Sequence, residues 1–275
     1  MVPTPDQMTS DHRRELRVNR QTFSVDIRPG RESGVPLLMF GGIGASYEVL
    51  QPLVDAIDAE VEVIRVDVPG VGRSPAAPFP YVFPQLASSI AGLLDDLGYR
   101  KVDVLGYSWG GALAQQFALQ YPHRCRRLVL ISTSTGAIAV PGDSRVLREM
   151  LTPRHFSDPE DAALVAELLD GGVNHRPTPA ARRMLRSVRS AAAGQGYFHQ
   201  LMAVATWTSL PFLWLLRQPV LILSGENDPI VPVINARILR ALIPHAALEV
   251  FPGGHLEIVN SAPDLGQRVS RFLRR

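Results

Sequence analysis

Short runs of Val, Ile and Leu, each closed by Gly, Pro or Ser, recur along the chain, and between them lie stretches whose apolar residues repeat with helical period. Apolar runs that lack polar alternation suit strands covered on both faces, so the alternation predicts a mainly parallel sheet flanked by helices, an α/β architecture. Strands are predicted at Val35–Phe40, Val61–Val68, Val102–Tyr107, Arg127–Ser132, Val220–Ser224 and Leu248–Phe251, behind an N-terminal hairpin near Leu16–Arg28. Helices are predicted at Tyr47–Ala56, Phe83–Leu97, Ser108–Tyr121, Ile234–Leu242 and Ala262–Leu273.

The stretch from Ser132 to Val220 far exceeds the usual helix–strand connection of about six residues. It carries helical patterns at Asp143–Leu151, Pro159–Leu169, Pro179–Ala193 and Tyr197–Trp207, broken by Gly171-Gly172, Pro177 and Pro211. A helical lid over 135–215 is expected, inserted between two parts of one core, 1–134 and 216–275. Leu201–Leu216 is apolar enough to suggest a membrane helix, but Thr206, Thr208, Ser209 and Pro211 interrupt a run shorter than the roughly twenty residues a span requires. Its aromatics, Trp207, Phe212 and Trp214, suit either a lid core or the wall of a substrate channel.

With 46% hydrophobic residues in 275, the chain can bury a large core. A formal charge of +2, from 28 basic and 26 acidic residues, offers no field for a nucleic-acid backbone. Arg182, Arg183, Arg186 and Arg189 fit one solvated helix face. Cys125 is the only cysteine, which excludes an internal disulfide and a multi-cysteine metal site; between a predicted helix and strand it suits a small filler. Met1–Arg20 is rich in Pro, Asp and Arg and has no apolar stretch of the signal-peptide kind, so a cytoplasmic location is expected.

Candidate chemistry begins at Gly106-Tyr107-Ser108-Trp109-Gly110, a G-x-S-x-G pattern that follows a predicted strand and opens a helix. That context projects the Ser108 hydroxyl from a sharp turn in which side chains at the flanking glycines would collide with neighbouring backbone. A serine hydroxyl needs a base to become nucleophilic, and imidazole suits the task. Of seven histidines, His255 in Gly253-Gly254-His255-Leu256 follows the last predicted strand and can reach the sheet's C-terminal edge. His123 and His245 follow prolines at helix ends as surface residues, His12 lies in the polar N-terminal arm, and His155, His175 and His199 fall in the predicted lid. Asp228 lies just beyond a strand end and completes the order Ser, Asp, His expected of a catalytic triad on the α/β-hydrolase fold; Glu226, two residues earlier, is its rival. Backbone N–H groups of Trp109 and of Ile43, in the turn Gly41-Gly42-Ile43-Gly44, are the candidate oxyanion hole. Asp67-Val68-Pro69-Gly70-Val71-Gly72-Arg73-Ser74 lacks the third glycine of a dinucleotide fingerprint and reads as a structural turn.

Several stretches together resemble the intracellular medium-chain-length polyhydroxyalkanoate depolymerases: Phe40 to Ala45, Asp67 to Gly72, the run Ser108-Trp109-Gly110-Gly111-Ala112-Leu113-Ala114-Gln115-Gln116-Phe117-Ala118, Val140-Pro141-Gly142, Trp207-Thr208-Ser209, and the Asp228 and His255 loops. The similarity runs from about residue 16 to the end of the chain. Gly41 departs from the family's usual Asn, and Tyr107 is larger than the residue that often precedes the serine. The resemblance implies hydrolysis of a hydrophobic storage polyester or medium-chain acyl ester through an acyl-enzyme on Ser108, with a polymer granule surface as possible partner and no metal or organic cofactor. Tyr107, Trp207 and Trp214 are the candidate substrate-contacting residues. The triad alone also fits a carboxylesterase, a lipase or a carbon–carbon bond hydrolase, and the fold alone fits a non-catalytic binding protein. Polyester synthases, by the same resemblance, use cysteine where Ser108 stands.

Overall fold

The computed structural model describes residues 13–31, 34–151 and 194–275. The predicted helices at 159–169 and 179–193, the arginine run at 182–189, and His12, His155 and His175 lie outside the described residues. An eight-stranded sheet runs in the order β1-β2-β4-β3-β5-β6-β7-β8. Its strands are β1 (Arg13–Val18), β2 (Gln21–Arg28), β3 (Leu37–Phe40), β4 (Val63–Asp67), β5 (Val102–Tyr107), β6 (Cys125–Ile131), β7 (Val220–Gly225) and β8 (Ala246–Phe251). The first three neighbours in that order pair antiparallel, and every later pair is parallel. Asn19 and Arg20, at φ 50° and 64°, form the two-residue turn of the β1–β2 hairpin, with the left-handed pair that matches strand twist.

Period-two alternation splits the core in two. Leu38, Phe40, Val104, Leu130 and Ile222 face one side, where they pack with α2 (Phe83–Asp96), α3 (Trp109–Gln120) and a later helix, Val233–Leu242. Leu37, Met39, Leu105, Ile131 and Leu223 face the other, against α1 (Gln51–Ala56) and the C-terminal helix Ala262–Arg274. Both faces are apolar because both are covered, as the unalternating runs predict.

After β6 the chain leaves the sheet, and it rejoins at β7. Within this excursion lie α4 (Ser144–Leu151), α5 (Gln195–Ala205) and a 3-10 turn, Leu210–Leu215; beyond it follow α6 (Val233–Leu242), α7 (Glu257–Asn260) and α8 (Ala262–Arg274). Among the described residues no helix is long and apolar enough to cross a membrane; the apolar stretch around Leu201 is split between α5 and the 3-10 turn. Several boundaries differ from the sequence reading by a few residues, and two strands, β6 and β8, start two residues earlier than expected. β8 starts at Ala246 rather than Leu248, since Ala246-Ala247 carries little strand propensity and the pairing with β7 decides the outcome. Cys125 opens β6 instead of preceding it, and burial pushes its thiol pKa up, so it is an inert filler.

Candidate active site

Ser108 joins β5 to α3 at φ 54°, ψ −119°, a strained conformation that costs about 1–3 kcal/mol and persists only where its surroundings enforce it. The enforcement is visible around it. The Ser108 N–H donates to the Ile131 carbonyl at 2.9 Å, and Thr133 Oγ1 donates to the Ser108 carbonyl at 2.8 Å. A Cβ on Gly106 would stand 2.3 Å from the Gly110 oxygen, and one on Gly110 2.4 Å from the Gly41 oxygen, so helix and strand meet at a separation only glycine permits.

Ser108 Oγ lies 2.9 Å from His255 Nε2, and His255 Nδ1 lies 2.7 Å from Asp228 Oδ2. Asp228 Oδ1 accepts the N–H groups of Ile230 and Val231, both at 2.9 Å, so the carboxylate is fixed by its own turn and presents one oxygen to the imidazole. Asp228 and His255 are buried, at 4% and 3% exposure, whereas Glu226 faces solvent; the geometry separates the two rival carboxylates. Their loops are sewn together, with Glu226 N–H donating to Phe251 O at 2.9 Å and Asn227 N–H to Gly253 O at 3.0 Å. His123 and His245 are exposed, and His199 is buried edge-on against Tyr81.

Trp109 is the first residue of α3, so its N–H has no acceptor within the helix. Ile43 is the second residue of a turn closed by Ala45 N–H on the Gly42 carbonyl at 3.1 Å, a position whose N–H the turn leaves unused. Both residues line, with Ser108, a cavity of about 350 Å³. Its other walls are largely hydrocarbon: Ala112 from α3, Leu147 and Met150 from α4, Leu201 and Val204 from α5, and Ile230 beyond β7. Ser108, Ile43, Trp109 and an apolar slot therefore share one space, an arrangement of a size and polarity able to hold an acyl group.

A family model described as the alpha/beta hydrolase fold matches residues 35–260. The chain belongs to the α/β-hydrolase family. It is 42% identical over 261 residues, covering 95% of this chain and 92% of the relative, to a poly(3-hydroxyalkanoate) depolymerase of Ectopseudomonas oleovorans. It is also 30% identical, over 95% of this chain and 92% of the relative, to a 2-hydroxy-6-oxononadienedioate/2-hydroxy-6-oxononatrienedioate hydrolase of Burkholderia vietnamiensis. The crystal structure of a hydrolase from Pseudomonas aeruginosa superposes with a TM-score of 0.81 at 23% identity, covering 97% of this chain and 100% of that one, and agrees in fold.

The excursion is stitched to α3. Trp207 Nε1 donates to Gln116 Oε1 at 2.8 Å, and Ser209 Oγ donates to Gln115 Oε1 at 2.7 Å. The Gln-Gln pair and the Trp-Thr-Ser segment, both among the stretches that carry the resemblance, are thus partners in one interface.

None of the three expected substrate contacts, Tyr107, Trp207 and Trp214, is among the residues that line the cavity. Tyr107 has no exposed surface; its hydroxyl donates to the His255 carbonyl at 2.8 Å and its ring lies 5.1 Å from the imidazole, so it packs directly against His255. Trp207 is 8% exposed and packs against Phe83 and Gly136. Trp214 is 56% exposed and donates its N–H to the Pro211 carbonyl at 3.0 Å, on the outer surface of the excursion. Two of the residues that do line the slot, Leu201 and Val204, sit three apart on α5, a spacing the helical period of the segment contains but that aromatic size obscures.

Proposed function

We propose that this protein is a serine ester hydrolase that depolymerises medium-chain-length poly(3-hydroxyalkanoate). Ser108 attacks the ester carbonyl as His255 takes its proton; His255 then gives that proton to the leaving alkoxide oxygen, and water hydrolyses the acyl-enzyme by the same path in reverse. Asp228 holds the tautomer of His255 and stabilises the imidazolium, while the Ile43 and Trp109 N–H groups receive the oxyanion. The observation that carries this reading is the continuous relay from Ser108 to Asp228 opening into an apolar slot. The relative 42% identical along nearly the whole chain supports the polyester.

Residues 135–215 act in this reading as a lid, with Leu201 and Val204 against the monomer's alkyl side chain. Phe198, Phe212 and Trp214, each more than half exposed on the outer face of the excursion, suit contact with an intracellular polymer granule. Incubation with polyesters of graded side-chain length, beside short nitrophenyl esters, tests the substrate: release of medium-chain 3-hydroxy acids is expected. Activity confined to the short esters, or to a carbon–carbon bond substrate of the kind the 30% identical relative is named for, would replace the polyester by a small molecule.

A further inference from the structure

One residue of the excursion touches both turns from which the oxyanion donors project. Gln200, on α5, is 1% exposed. Its side-chain oxygen accepts the Gly44 N–H at 2.8 Å, and its main-chain carbonyl accepts the Trp109 indole N–H at 2.8 Å. Gly44 is the third residue of the turn that presents Ile43 and adopts φ 65°, so its N–H points away from the turn and needs an outside acceptor. Because an N–H faces it, the Gln200 amide must offer its oxygen there. Trp109 is held equally firmly, its ring 4.8 Å from Phe83 and its N–H on Gln200.

We infer that Gln200 is a positioning residue that sets the oxyanion donors from within the lid, coupling acyl-chain packing to transition-state stabilisation. The inference rests on the reading of Ile43 and Trp109 as those donors. The coupling follows from the helix itself: Leu201 and Val204, the next residue and the one a turn further on, line the slot, and Gly196, a turn earlier, lies so close to Gly70 that a Cβ there would stand 2.2 Å from the Gly70 oxygen. The segment that feels the alkyl chain is therefore the segment that holds Gly44 and Trp109. A buried glutamine retained only for folding would stabilise ground state and transition state alike. One that positions the donors acts on the transition state.

Three variants of the full chain separate these roles. Gln200→Met removes the acceptor at similar size, Gln200→Asn keeps an amide too short to reach Gly44, and Gln200→Glu keeps an oxygen in place. On a nitrophenyl octanoate ester, Met and Asn are expected to lower kcat roughly tenfold or more while KM stays within about twofold, and Glu to recover most of the loss. The rate of fluorophosphonate labelling at Ser108 is expected to fall in parallel, with the thermal midpoint of the Asn variant close to wild type. Retention of kcat in the Met and Asn variants, a loss confined to KM, or a Glu variant as slow as Met would overturn the inference. Wild type that is not labelled at Ser108 would instead overturn the hydrolase reading beneath it.

Discussion

Two side chains beside His255 do different work, and substitutions separate them. Asp228 spends one oxygen on its own turn and the other on His255. Asp228→Asn keeps the shape but favours the wrong imidazole tautomer, so kcat is expected to fall about ten-thousandfold, whereas Glu226→Gln, at an exposed position, leaves it unchanged; steady-state kinetics on a nitrophenyl ester read both. Tyr107→Phe keeps the ring against His255 and removes only the hydrogen bond to its carbonyl, worth about 1 kcal/mol. A several-fold drop in kcat at constant KM is the expected result; a raised KM alone would return Tyr107 to the substrate. The three positions that these hydrogen bonds join were legible because each follows a strand end in the order expected. Tyr107 was misread because its role depends on parity: it shares a face with Leu105 in β5, and that face turns from the slot toward α1 and α8.

The strand β3, the Ser108 turn and α3 fit together through glycines in contact with backbone. Gly110→Ala would push a methyl to 2.4 Å from the Gly41 oxygen and 2.5 Å from the Phe40 oxygen, neither of which can yield without moving β3. Urea unfolding should report a loss of about 3 kcal/mol or more, overpacking at its most severe. Gly98→Ala, with nothing within 4 Å of the new methyl but φ at 82°, should cost only the left-handed penalty of about 1–2 kcal/mol. On α5, Val204→Phe fills the slot rather than opening it. Since each buried methylene contributes about 0.8 kcal/mol, or fourfold, the variant is expected to shift preference toward shorter side chains, read by product analysis on graded polyesters. The helical pattern of the excursion was visible in the chain at α4 and α5, yet the residues facing the slot were not, because large aromatics drew the choice and only α5's orientation over Ser108 selects Leu201 and Val204.

Taken whole, the molecule is a sheet with apolar layers on both faces, and this much could be read from central strands that are nearly continuous apolar runs. The Asp67–Ser74 segment, read as a structural turn, has one property that composition does not reveal. Burial raises the Asp67 pKa to about 7, although the carboxylate accepts the N–H groups of Tyr47 and Arg73. The native chain therefore keeps a proton that the unfolded chain releases near its ordinary value of 3.8, and stability falls as pH rises across that window. Thermal melts between pH 5 and 8 should show a decline in wild type that is flattened in Asp67→Asn; an equal slope in both would assign the titration elsewhere.

The central claim is that Ser108 carries the acyl group during polyester hydrolysis. Intact-protein and peptide mass spectrometry of the chain quenched during turnover of a medium-chain poly(3-hydroxyalkanoate) tests it most directly. A 3-hydroxyacyl adduct on Ser108, absent from an inactive and folded Ser108→Ala variant, is the predicted result. Polyester hydrolysis at wild-type rate by Ser108→Ala, or an adduct on another residue, would contradict it.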